Sequence, residues 1–516
     1  MAALSGCGRS LDRAALVFMN GAEPEPLDPA IITAQSSGRV AYALLEGLTA
    51  FDRTGRPQPG VAERWEISAD ARVYTFHLRK NAQWSNGDPV TAHDFFYSWR
   101  RTLSPQTAAE YVAQLHFIRN ARAFTEGALH DFNEVGIRVL DAWTLEVTLE
   151  NPTPFFLDLC AFVTLLPVHA ATVEKYADWS TKPEHFVGNG AFTLKEWRLF
   201  DRVRLIKNPR YWDAANVALP SIDVLPSARA NTAFNFYSTG LADLLMDKGL
   251  APTSLMSELR RRPDFHAAPF LGNYFVRFNV TRKPFDDERV RKAFCMVVDK
   301  QLLCDKITRA GELPATSMTP PGTGGMYQPP PGVAANPAQA RQLLADAGYP
   351  GGKGFPLFGY LYKGDSDVDR DIAVELQGMF ARELGVKMFL QPQEYTVYLS
   401  SLSDLDYDLC RSSWVGDYND PYTFLGMFIT GDGNNRTGWS NAHYDQLIAD
   451  AARESNAQRR LEIFAEAERI LITGEAPICP LYYYVGVQFY DATRLGGIES
   501  NLLDEHPLKN IYWKKR

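Results

Sequence analysis

Period-two alternation is clearest at residues 73–78, where Tyr74, Phe76 and Leu78 fall on one face and Val73, Thr75 and His77 on the other. The pattern predicts a strand with His77 pointing outward. Helical spacing takes over at Phe95, Phe96, Trp99 and Leu103, behind a Thr91/Asp94 pair at capping-box spacing. Leu145, Val147 and Leu149 alternate in a further strand, and VGNGAFTLKEW at 187–197 reads as a glycine turn feeding another. A second half opens with a strand over YFVRFNV at 274–280 and a helix over 286–298. The next helix is capped by Asn336, opened by Pro337 and closed by Gly348.

The plainest supersecondary unit comes next in the chain. A strand at 355–361 leads to a helix with Ile372, Leu376, Met379, Phe380 and Leu384 in one stripe, a stop at Gly385, and a strand at 386–390. Connections this short imply a parallel crossover, so this half is α/β, and ligands of such sheets sit beyond the carboxyl ends of the strands. The apolar run YDLC places residues 411–417 at such an end. A helix over 457–471 and a tyrosine-rich strand at 480–490 complete the half, and the basic residues at 511–516 read as a solvated terminus.

With 516 residues the chain has room for roughly three domains and a sizeable core. Net charge of −8 and the lack of a long basic run argue against nucleic acid as a partner. No stretch reaches the ~20 apolar residues of a membrane-spanning helix. Of six cysteines, at 7, 160, 295, 304, 410 and 479, five read as scattered core residues. Cys7 closes LSGC, the small-residue pattern of a bacterial lipoprotein cleavage box, and is the expected site of lipidation in a longer precursor; a stray tail cysteine is the alternative. There is no HExxH, GxSxG, phosphate-loop or dinucleotide fingerprint, and the histidines are too dispersed for a metal site, so no metal or cofactor is expected.

The densest candidate chemistry is RSSWVGDYNDP at 411–421. Asp417 beside the indole of Trp414 makes a receptor for a primary ammonium group, and Arg411 offers a planar fork suited to a carboxylate. A structural account is also open: Asp417 as a turn acceptor, Trp414 as core, Arg411 paired with Asp406 or Asp408.

Taken in order, EPLDP (25–29), EGLTAFD (46–52), WSNGDPVTAHDFFYSWRR (84–101), NGAFTLKEW (189–197), KNPRYWD (207–213), WVGDYNDP (414–421), PLYYYV (480–485) and PLKNIYW (507–513) resemble the peptide-binding receptors of bacterial ABC importers, the oligopeptide-binding proteins above all. The resemblance implies a two-lobed α/β clamshell of the periplasmic-binding-protein kind, type II-like, with an extra inserted subdomain. Residues 1–45, 169–271 and 486–516 would form lobe I, 46–168 the insertion and 272–485 lobe II.

The resemblance also implies roles. Asp417 would receive a peptide's α-ammonium group and Arg411 would meet its carboxylate terminus or interact nearby, while Tyr111, Tyr395, Tyr483 and Tyr484 would line the cleft. The chain departs from close relatives at Asp369, Thr308 and Leu402, where they carry basic groups. Asp369 would then serve its helix's positive end, and Arg277 is a candidate compensating cation. The implied protein is a monomeric, non-enzymatic receptor of the periplasm or cell envelope that hands short peptides to a membrane permease. A relative specialised for metal chelate, haem or sugar, or a cleft hydrolase, remains the alternative.

Overall fold

The computed structural model describes residues 13–515, so Cys7 lies outside the described residues. The alternation at 73–78 forms the strand Val73–Leu78, with Tyr74, Phe76 and Leu78 buried and His77 turned out to Glu66 at 3.1 Å. It lies inside a four-stranded antiparallel sheet, between Ala62–Ile67 and Thr144–Thr148, with Ile137–Asp141 at the far edge. Helix Ala92–Leu103 begins where predicted: the Asp94 carboxylate accepts the Thr91 N–H at 2.7 Å, and Phe95, Trp99 and Leu103 are fully buried. Each such side chain contributes about 1.5–3 kcal/mol.

The main sheet is two sheets spliced by two long strands. Phe265–Phe278 and Ile478–Tyr490 run antiparallel at its centre. Residues 265–269 pair with 485–489, the ladder breaks, and residues 273–277 resume with 478–483. On one side stand Leu244–Leu245, Leu16–Gly21, Ser221–Pro226, Arg202–Lys207 and Phe192–Arg198; on the other, Leu409–Val415, Phe358–Lys363 and Met388–Gln393. The result is two α/β lobes joined through the crossing strands.

Their cores are separate. One unites Phe18, Phe76, Trp99, Leu145, Phe192 and Val224, and a second unites Tyr274, Phe294, Tyr360 and Leu376. Phe275, the neighbour of Tyr274, enters a third with Phe424 and Phe464, as period two requires of a strand covered on both faces.

The expected crossover is present, with boundaries moved. The strands are Phe358–Lys363 and Met388–Gln393, paired in parallel, rather than 355–361 and 386–390. Pro356 has no N–H for a ladder, and Phe355 instead packs under the sheet against Phe285, Phe294 and Phe358. Helix Asp367–Leu384 starts from Ser366, whose hydroxyl accepts the Asp369 N–H, and stops at Gly385 with φ of 72°. The carboxyl terminus is not merely solvated. Ile511 is fully buried, Tyr512–Trp513 pairs with Leu495–Gly496, and the Trp513 indole N–H donates to the Ala15 carbonyl at 2.8 Å.

Candidate functional site

Strand Leu409–Val415 lies between a crossing strand, antiparallel to it, and Phe358–Lys363, parallel to it. Arg411 and Trp414 therefore belong to the strand itself; Asp417 alone of the three lies beyond its carboxyl end. Gly416 makes the exit, donating to the Leu271 carbonyl at 2.7 Å. A side chain there would meet Leu271 at 2.8 Å and Thr423 at 3.0 Å, so the close approach requires glycine.

Thr423 anchors the segment beyond this exit. Its hydroxyl accepts the Asp417 N–H at 3.3 Å and the Trp414 indole N–H at 3.4 Å. Structural duty in the turn falls to Asp420, which accepts the Tyr422 N–H at 2.9 Å and is gripped by Arg460 through two bonds of 2.6 and 2.9 Å. Tyr418 stacks on Phe155 with centroids 4.0 Å apart. These contacts free the Asp417 carboxylate for other use. One oxygen accepts the Gln114 amide at 2.9 Å, and among the described residues it forms no ion pair. Burial pushes its pKa up to about 7, with only the Gln114 bond opposing the shift.

Two cavities meet at Asp417. The larger, about 740 Å³, is bordered by Tyr111, Gln114, Tyr395, Trp414 and Tyr422. The smaller, about 270 Å³, shares Tyr111 and Asp417 and continues to Tyr42, Phe270 and Glu505. Burial and the Asp417 charge raise Tyr111 to about 12, keeping its phenol protonated.

The remaining candidates divide. Tyr395 is half exposed on the large cavity, with Lys363 Nζ 5.7 Å above its ring. Arg411 does not pair with Asp406 or Asp408, which face Arg282. Its Nε lies 3.2 Å from both carboxylate oxygens of Asp369, and its guanidinium stands 5.0 Å above Tyr274. Asp369 is 2% exposed and so does more than serve its helix terminus.

Arg277 is interior, 4% exposed, donating to Ser412 Oγ and the Asn434 carbonyl and flanked by Phe275 and Phe428. Tyr483 points away from both cavities, its hydroxyl held by the Ser317 hydroxyl and N–H. Alternation along the strand puts Tyr484 on the other face, 6.5 Å from Phe270. Gln114, Thr423 and Glu505 are additions the sequence did not single out. Only Gln114 carried a signal, three positions after Tyr111 and so on the same face of a helical turn.

Among the described residues no three His, Cys, Asp or Glu side chains are grouped to hold a metal ion, and no helix is long and apolar enough to cross a membrane.

Residues 56–436 match the family of bacterial extracellular solute-binding proteins, family 5. The chain is 35% identical over 510 residues to the periplasmic oligopeptide-binding protein OppA of Salmonella typhimurium, covering 97% of this chain and 93% of OppA. It is 36% identical over 470 residues to the periplasmic murein peptide-binding protein MppA of Escherichia coli, covering 90% and 86%. The crystal structure of Haemophilus influenzae OppA complexed with RPPGFSPFR superposes with a TM-score of 0.81 at 32% identity, over 97% of this chain and 99% of that one. The chain belongs to the family 5 bacterial extracellular solute-binding proteins.

Proposed function

We propose, from membership of that family, that the chain is the receptor of a peptide importer, holding a short extended peptide between its lobes and delivering it to a membrane permease. The observation that carries this reading is Asp417: a carboxylate set beyond a strand end, bordered by two cavities, desolvated and, among the described residues, without a cation. Desolvating a carboxylate without a cation is costly, and such groups cluster at ligand sites. A peptide's α-ammonium group supplies the missing charge, while bonds between peptide main chain and strand edges are common to all sequences.

The lobes in this reading are residues 1–45, 169–271 and 486–516 with the insertion 46–168, against 272–485. The break in the crossing strands between Pro269 and Asn273 supports a hinge there. The receptor works as a monomer in the cell envelope, anchored through Cys7 in a lipidated precursor, and leaves its ligand chemically intact.

Calorimetry with a defined tripeptide, its N-acetyl form and the Asp417→Asn protein tests this. Loss of either charge is expected to weaken binding by about 3–5 kcal/mol, two to four decades. Equal affinity for free and acetylated peptide would falsify the reading, and recovery of peptide fragments after incubation would replace it with hydrolysis.

A further inference from the structure

The smaller cavity contains more negative charge than one ammonium group neutralises. Besides Asp417 it is lined by Glu505, from the segment after the second crossing strand. The Glu505 carboxylate accepts no hydrogen bond and meets no cation within ion-pair distance among the described residues. Arg39 supplies positive potential, but its guanidinium is spent on the Asn20 and Met246 carbonyls and the Gln35 amide oxygen, and Lys509, which lines a further cavity with Glu505, is bound to Glu46 at 2.6 Å. Among the described residues no lysine, arginine or histidine lines the cavity; its walls are largely apolar and aromatic, with Tyr42 and Phe270 among them.

Asp417 stands where the two cavities join. An ammonium group bound there would leave the larger space for the peptide main chain and the smaller for its first side chain. We propose, on the footing of the peptide-receptor reading, that Glu505 selects a cationic first side chain, so that the favoured ligands begin with lysine, arginine or a related diamino acid. An alkyl stem would lie against the aromatic walls and its charged tip would meet Glu505. A neutral side chain of equal length fills the same volume and leaves Glu505 desolvated and alone, a cost that discriminates against it. Burial raises the Glu505 pKa to about 7, as expected of a carboxylate that awaits a counter-ion.

The test compares Lys-Ala-Ala with norleucine-Ala-Ala by calorimetry at pH 8, in the wild-type protein and in Glu505→Gln. The wild type is expected to prefer lysine by about ten- to a hundredfold, the range of one hydrogen bond to a charged group. In Glu505→Gln that ratio is expected to collapse toward one. A wild-type ratio near one, or a ratio that Glu505→Gln leaves in place, overturns the proposal while the receptor reading stands. Absence of binding by either tripeptide overturns both. Because the norleucine comparison needs no mutation, a variant that fails to fold does not shield the proposal.

Discussion

Asp417 and Asp420 leave the same turn three residues apart and meet opposite fates. Asp420 is closed into a two-bond ion pair with Arg460 and caps its own turn; Asp417 receives one amide hydrogen bond. Asp420 is buried, and Asp417 is half-buried on the walls of two cavities, but what most separates them is partners. The turn is held by the acid that is satisfied, which leaves the other acid free to be satisfied by something that arrives. The comparison predicts that stability and binding separate between them. Arg460→Met should cost about 3–5 kcal/mol of unfolding free energy in urea, because Asp420 is left as a buried uncompensated charge. Asp417→Asn removes an unpaired, half-buried charge and should leave the free protein as stable as the wild type, or more so, while losing ligand. Equal destabilisation by the two substitutions would erase the distinction.

A pH series sharpens the same contrast through the unpaired acids. Asp417 and Glu505 are both raised to about 7, from ordinary values of 3.8 and 4.5, by burial. A folded-state pKa above the unfolded value gives a contribution to stability that is complete below the unfolded pKa and is lost as pH rises through the folded one. These groups therefore make the free protein less stable as pH rises from about 5 toward 8. Ligand binding runs the other way, because an ammonium group needs the ionised acid. Affinity for a free peptide is expected to fall about tenfold between pH 8 and pH 6, with proton release on binding at pH 6, whereas Asp417→Asn should flatten the profile. Melting temperature of the free protein and affinity for peptide rising together with pH would contradict the assignment.

Local features were legible in the sequence because local chemistry determines them. Asn336 caps its helix by accepting the Gln339 N–H, Gly385 ends another with a left-handed residue, and Tyr74, Phe76 and Leu78 enter the core on alternation alone. Asp417 and Trp414 were visible as candidates for a similar reason, being three residues apart in one segment. The partners that decide their chemistry were not. Gln114 reaches Asp417 across 303 positions and Asp369 reaches Arg411 across 42, and no periodicity encodes such meetings. Tyr483 shows the limit from the other side. A run of three tyrosines marks a strand lined with aromatics, yet which of them faces the cleft depends on a register set by its neighbours. Glu505 sits in a connection with no pattern, and only the cavity draws attention to it.

The smallest expected effect concerns the other end of the ligand. Arg411 looks from the sequence like a receptor for a carboxylate, but its charge is already matched: Asp369, 2% exposed, lies 3.2 Å from its Nε. A ligand carboxylate approaching Arg411 therefore meets a neutral pair, not a bare cation, and gains only the difference between its attraction to Arg411 and its repulsion from Asp369. Net positive charge near this pair comes from Lys363, which is half-buried above the Tyr395 ring; screening by water on its open side limits what it adds. Amidating the peptide's carboxyl end should thus change affinity by less than about tenfold, well short of the loss from acetylating its amino end. Asp369→Asn tests the cause. It uncovers the Arg411 charge, so the penalty for amidation should grow relative to the wild type, read as a ratio of dissociation constants within one protein and hence insensitive to any change in stability. If amidation and acetylation cost the wild type equally, or if Asp369→Asn leaves the ratio unmoved, Arg411 and Asp417 are not the opposites that their partners make them.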